Sequence, residues 1–233
     1  MTSMVLNGRK IYRVQCKNKL VFLKKVKSKF VNLLVRPPQL LRNLYKDSLW
    51  RMDKTQPIIY LTFDDGPIPE LTPWVLDILK HYQITATFFC VGENIDKNPE
   101  IFKRILEEGH QVGNHTYNHL KGWQTKKKDY LDNVAKCQEL TQTNLFRAPY
   151  GRISRKQYNI LVKEYKMVFW DVLSYDYDTF ISPEKCLENS IKHTQNGTII
   201  VFHDNKKAQK NIKYALPRYI DYFLKLNYTF ASL

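Results

Sequence analysis

A chain of 233 residues, 43% hydrophobic and 25% charged, can bury one sizeable core, which excludes a disordered or fibrous protein. Its formal net charge of +15 is unevenly spread: residues 1–54 hold 14 lysines and arginines against 2 acids, and residues 55–233 hold 23 against 20. A nearly neutral body argues against nucleic acid as partner, because such domains carry their charge on the folded face, and no apolar run approaches the ~18 residues of a transmembrane helix.

The first 54 residues read as a basic extension. Up to about Val35 they form an amphipathic stretch, with Leu23, Val26, Phe30 and Leu33 or Leu34 at helical spacing. That pattern suits an anionic membrane surface, and a floppy arm or a misplaced start is the plainer alternative. Residues 20–23 are the nearest approach to a signal peptide, but Lys24, Lys25, Lys27 and Lys29 interrupt them and no small-residue cleavage site follows. The expectation is a cytoplasmic or membrane-peripheral protein, with action at the cell envelope left open. Arg36-Pro37-Pro38 breaks any helix, and residues 40–50 read as a short apolar element capping a domain over 55–233.

From Ile58 the pattern is regular. Residues 58–63 read as a strand, followed by a helix with Thr72 as N-cap, Pro73 at its first position and Val75, Leu76 and Leu79 on its apolar face. Residues 85–91 read as a strand, and Asn98-Pro99 opens a helix that Gly109 stops. A short strand at 111–113 runs into a histidine segment. Helix 128–143 and strand 145–147 follow. Ser154 then opens a helix, and residues 167–172 form a strand. Ser182-Pro183 opens another helix before strand 198–202, helix 209–226 and strand 228–231. Seven alternations with near-continuous apolar strands argue an α/β fold, a parallel sheet covered by helices. Asp64, Asp65, His115, Arg147, Asp171 and His203 all fall at or just past the C-terminal ends of predicted strands. Convergence from so many strands favours the catalytic face of a barrel over the single switch point of an open sheet.

Asp64 and Asp65 stand between an apolar strand and Gly66-Pro67, so they read either as a self-capping turn or as two carboxylates with different tasks. His115 and His119 lie four apart, on one face if the stretch is helical, at a spacing by which two imidazoles grip one cation. With a neighbouring Asp they make a two-histidine, one-carboxylate set, which suits Zn²⁺ as Lewis acid and also non-haem Fe²⁺. Arg147 precedes a rigid turn, Ala148-Pro149-Tyr150-Gly151, whose amides could face an anion. Asp171 and Asp176 flank a polar-aromatic segment, and His203 ends an apolar strand. Cys16, Cys90, Cys137 and Cys186 are widely spaced and read as thiols without a framework.

Five ordered motifs then carry a resemblance: Thr-Phe-Asp-Asp-Gly-Pro at 62–67, His-Thr-Tyr-Asn-His at 115–119, Arg-Ala-Pro-Tyr-Gly at 147–151, the segment 170–177, and Val-Phe-His at 201–203. From about Ile58 onward the chain resembles the polysaccharide deacetylases of the family-four carbohydrate esterases. The resemblance implies a distorted seven- or eight-stranded (β/α) barrel that removes N-acetyl groups from an N-acetylglucosamine-containing glycan. It implies a divalent metal, commonly Zn²⁺ with Co²⁺, Ni²⁺ or Mn²⁺ as alternatives, on Asp65, His115 and His119. By the same matching Asp64 is the general base, His203 the general acid, and Arg147 orients Asp64. Asp176 tunes His203, the Tyr150 amide stabilises the oxyanion, and Tyr177 lines the groove. Departures from the family pattern are Val201 for Leu, Tyr177 for Trp and Leu173 for Asp. Two rivals remain, a non-catalytic glycan- or membrane-binding protein that keeps the fold and, behind it, an iron oxygenase using the same ligands. The oligomeric state is not legible.

Overall fold

The apolar run at 58–64 becomes the central strand of a parallel sheet. The computed structural model describes residues 3–6, 9–12 and 35–233, so the amphipathic stretch expected at 23–34 lies outside the described residues. Ser3–Leu6 (β1) and Arg9–Tyr12 (β2) pair antiparallel. In the main body Ile58–Asp64 (β3) lies between Thr87–Cys90 (β4) and Ile199–His203 (β9). Beyond β4 follow Gln111–Asn114 (β5), Leu145–Phe146 (β6) and Lys166–Met167 (β7). Beyond β9 comes Val172–Leu173 (β8), and Thr229–Ala231 (β10) pairs with the start of β3. The two ends of this path, β7 and β8, are halves of one stretch of chain. β7 pairs with β6 and β8 with β9, so the eight-stranded sheet curls back on itself as a distorted barrel.

Helices cover the outside: Gln39–Leu44 (α1), Thr72–His81 (α2), Gly92–Lys97 (α3), Pro99–Glu107 (α4), Lys127–Thr141 (α5), Arg155–Leu161 (α6), Pro183–His193 (α7) and Gln209–Lys225 (α8). Strands buried on both faces need continuous apolar sequence, and in β3, β4 and β9 the aromatic rings of Phe63, Phe88 and Phe202 stack through the core. α2 buries Val75, Leu76 and Leu79, the face its periodicity marked. Thr72 is not its N-cap, however. The helix already includes Thr72, whose hydroxyl donates to Oδ2 of the buried Asp204 (2.6 Å) and accepts the Ile68 amide. Ser154 does cap α6, in a reciprocal pair with Gln157.

Residues 35–53 lie along the break between β7 and β8. The Val35 carbonyl accepts the Leu173 amide, Leu49 bridges Val168, and the Met52 amide reaches the Gly197 carbonyl at 2.8 Å. Trp50 stacks on Phe169 with centroids 4.3 Å apart, and Val35 is fully buried. One expectation is corrected here. Asp171 does not end a strand, because the strand expected over 167–172 breaks at 168–171. Asp171 instead immediately precedes β8, at the N-terminal end of the barrel, bound by Arg36, Arg42 and Thr198.

Candidate active site

At the other end of the barrel, the C-terminal ends of β3, β5, β6 and β9 open into a groove of about 720 Å³. Asp64 is the last residue of β3, where the strand's final apolar contact gives way to a buried carboxylate. Its Oδ1 accepts from Arg147 Nη1 at 2.6 Å, and its Oδ2 lies 4.0 Å from His115 Nε2. Asp65 then turns with φ 89°, a left-handed backbone that side-chain-bearing residues rarely adopt. Asn94 Nδ2 donates to its carbonyl and Asn205 Nδ2 to its Oδ2, which holds the strained residue in place. Gly66 is required next. A Cβ there would stand 1.8 Å from Asp204 Oδ2, while the Gly66 amide donates to Asp204 Oδ1.

The histidine segment is not the helix that would put both rings on one face. It is a loop leaving β5, in which Thr116 (φ 63°) and His119 (φ 55°) are both left-handed. Asn114 Oδ1 accepts the Thr116 amide, and Asn133 Oδ1, reaching from α5, accepts the amides of Tyr117 and Asn118. These bonds fold the loop so that both imidazoles face Asp65. His119 Nε2 is 3.0 Å and His115 Nε2 3.6 Å from Asp65 Oδ1, and the three ligand atoms lie within 4.8 Å of one another. Bonds of ~2.1 Å in a tetrahedral site put neighbouring ligand atoms roughly 3.4 Å apart, so the set fits a divalent ion. His115 Nδ1 faces the Arg147 carbonyl at 2.8 Å; that contact makes Nδ1 the protonated nitrogen and leaves the Nε2 lone pair free. Burial works against a charge on Asp65, yet the neighbouring imidazoles of His115 and His119 overcome it and hold its carboxyl well below the usual range.

Arg147 is fully buried and fixed on all sides. Its guanidinium donates to Asp64, Thr62 Oγ1 and the carbonyls of Val168 and Phe169, and it lies 4.0 Å over the Phe89 ring. A guanidinium so placed must be paired, and Asp64 is the partner. The following turn puts Tyr150 at φ 60°. The amides of Gly151 and Arg152 are taken by Ala148 and Pro149, leaving the Tyr150 amide outside that pair at the groove's edge. The Tyr150 ring leans on His119, centroids 4.6 Å apart.

His203 ends β9 and is gripped by Asp176, whose Oδ1 meets Nδ1 at 2.7 Å and whose Oδ2 accepts the His203 amide at 2.7 Å. Burial lowers the imidazole's proton affinity, but the Asp176 charge and hydrogen bond outweigh it and push the pKa up to about 9. Asn211 of α8 steadies Asp176 through its carbonyl, and Tyr177 stands edge-on to His203 at 4.7 Å.

Every residue the motifs singled out as a site residue thus lines or underlies one groove. Asn94, Asn133, Asn205, Asn211 and Asp204 were missed as supports. Asn205, two residues past His203, had a positional signal; Asn133, in mid-helix, had none. Among the described residues Cys90, Cys137 and Cys186 are buried free thiols.

The polysaccharide deacetylase family model matches residues 51–168. A peptidoglycan-N-acetylglucosamine deacetylase of Bacillus cereus is 32% identical over 192 residues, covering 79% of this chain and 90% of that protein. A chitooligosaccharide deacetylase of Azorhizobium caulinodans is 34% identical over 164 residues, 66% of this chain and 77% of the relative. Among solved structures, the Bc1960 peptidoglycan N-acetylglucosamine deacetylase superposes with a TM-score of 0.76 at 30% identity, over 80% of this chain and 91% of that one.

Proposed function

The chain belongs to the polysaccharide deacetylase family and is a glycan deacetylase, a hydrolase of the carbon–nitrogen bond in N-acetyl groups, and on that premise we propose how its residues divide the work. Asp65, His115 and His119 hold a divalent ion, Zn²⁺ by the donor set of two imidazoles and one carboxylate, with Co²⁺, Ni²⁺ and Mn²⁺ as alternatives. When bound, that ion polarises the acetyl carbonyl and lowers the pKa of water.

Asp64 is the general base. Arg147 takes one of its oxygens and leaves Oδ2 toward the groove, so the proton of the attacking water has one defined acceptor. The charge growing on the carbonyl oxygen is met by the Tyr150 amide, held ready by its left-handed turn. His203 is the general acid that protonates the leaving amine, and Asp176 keeps it charged for that step. Tyr177 forms the wall beside His203. The observation that carries this reading is the placing of Asp64 next to the Asp65–His115–His119 triangle, in one groove with His203.

The substrate we propose is an anionic N-acetylglucosamine-containing glycan such as peptidoglycan, ahead of a neutral chitin-like oligosaccharide. Lys121, Arg152, Lys206 and Lys207 rim the groove, where among the described residues Glu93 is the one acid besides Asp64 and Asp65. A basic rim concentrates anionic substrate at low salt. Acetate release should be measured on peptidoglycan, a surface polysaccharide and chitin-like oligosaccharides, before and after chelation and Zn²⁺ return. Release that chelation stops and Zn²⁺ restores is expected, strongest on the anionic glycan. Release indifferent to chelation contradicts the ion site, and preference for the neutral oligosaccharide contradicts the substrate reading.

A further inference from the structure

The end of the barrel away from the groove gathers positive charge. Asp171 is buried, with Arg36 Nη2 2.9 Å from its Oδ2, Arg42 Nη2 2.7 Å from its Oδ1 and Arg51 Nε 3.9 Å from Oδ2. Lys54 joins the three arginines around an open cavity of about 450 Å³, in which Asp171 is the one acid among the described residues. Four cations facing one carboxylate leave an excess of positive charge, which the neutral carbonyls of Pro37 and Asn196 that also accept from Arg42 and Arg51 do not cancel. Burial lowers the Arg51 pKa; Asp171 opposes that, and the charges of Arg36 and Arg42 add to it.

An apolar surface adjoins the cavity. Leu40 is 83% exposed, Leu44 51% and Leu41 38%, all on α1, whose Gln39 and Arg42 line the cavity. Leu40 and Leu44, four apart, share one face of the helix. The sequence immediately before this surface, residues 1–34, contains nine lysines and arginines and no acid. Exposed leucines beside clustered cations are the chemistry of a bilayer surface, where apolar side chains enter the headgroup region and cations meet phosphate. A small soluble anion would have no use for the leucines.

We propose that this end of the barrel docks on an anionic lipid bilayer, the Arg36–Arg42–Arg51 cavity receiving a lipid phosphate while Leu40, Leu41 and Leu44 enter the interface. The direction follows from β9. Thr198 immediately precedes it beside the cavity and His203 ends it in the groove, five steps of ~3.3 Å or roughly 16 Å away. A docked molecule turns its groove away from the membrane, toward a glycan lying outside the bilayer. This inference does not rest on the roles assigned to the catalytic residues.

The full chain should be sedimented with vesicles of phosphatidylcholine alone and of phosphatidylcholine with phosphatidylglycerol. Sedimentation is expected with the anionic vesicles only, weakening as salt rises. The double variant Leu40→Ser, Leu44→Ser should bind at least ~10-fold more weakly, and Arg36→Gln about fivefold more weakly. All should release acetate from a soluble oligosaccharide at the wild-type rate, which reports an intact fold. Equal binding to both vesicle types overturns the proposal, as does a leucine variant that binds like the wild type. Binding to soluble poly(glycerol phosphate) as tight as to vesicles would assign the cavity to a wall polymer. Loss of a dimer in the leucine variant, with vesicle binding unchanged, would assign the leucines to a second copy.

Discussion

His203 shows how a single contact sets chemistry. Asp176 meets both its ring and its backbone amide, and the imidazole holds its proton to about pH 9 against an ordinary value of 6.5. A raised folded-state pKa stabilises the fold fully below 6.5, and that contribution is lost as pH rises through about 9. The rate of acetate release should therefore fall as pH passes about 9 in a pH titration, and Asp176→Asn should move that fall to lower pH. A limb that stays in place in the variant contradicts the pairing. At this scale the side chains that converge on the groove were legible in the sequence, because a carboxylate or imidazole that interrupts an apolar strand at its end has few structural uses. The asparagines were not. Asn94, Asn133 and Asn205 act on residues 29, 16 and 140 positions away, and no local pattern marks an amide that will meet a distant loop.

Among the elements, the histidine loop between β5 and α5 departs furthest from its sequence reading. A helix would have aligned His115 and His119 by spacing alone; the loop aligns them through two left-handed residues and the Asn133 bonds. Asn133→Ala should leave the fold intact and weaken divalent-ion binding by ~10–100-fold, as loss of a ligand's supporting shell does. Isothermal titration of the apoprotein with Zn²⁺ checks this, and unchanged affinity would show the loop to be rigid without Asn133. The other elements were legible from residue 58 on, since the apolar strands and the Ser154 and Ser182 caps are local signals. The short helix α3 was not read, because its six residues offer too little periodicity, and the break at 168–171 depends on what packs into it.

Across the whole molecule, what packs into that break is the chain just ahead of the regular pattern. Trp50 stacks on Phe169, Tyr45 packs edge-on against Tyr158, and Asp171 ties Arg36 and Arg42 to the barrel's base. Phe169 also supplies a carbonyl to Arg147, so the seam and the site share a residue. Trp50→Ala should cost ~3–5 kcal/mol, read as a lower Tm in thermal unfolding; a Tm within error of the wild type would mean that the seam closes without it. The barrel then presents two ends with different chemistry, a groove of carboxylates and imidazoles and a base of arginines and leucines. The proposed chemistry divides between two adjacent aspartates, and the most direct test compares them side by side. Asp64→Asn and Asp65→Asn should each be assayed for bound divalent ion and for acetate release. Asp64→Asn is expected to keep one ion per chain and release no acetate, whereas Asp65→Asn loses the ion. Normal release by Asp64→Asn, or an ion held undiminished by Asp65→Asn, would contradict the assignment.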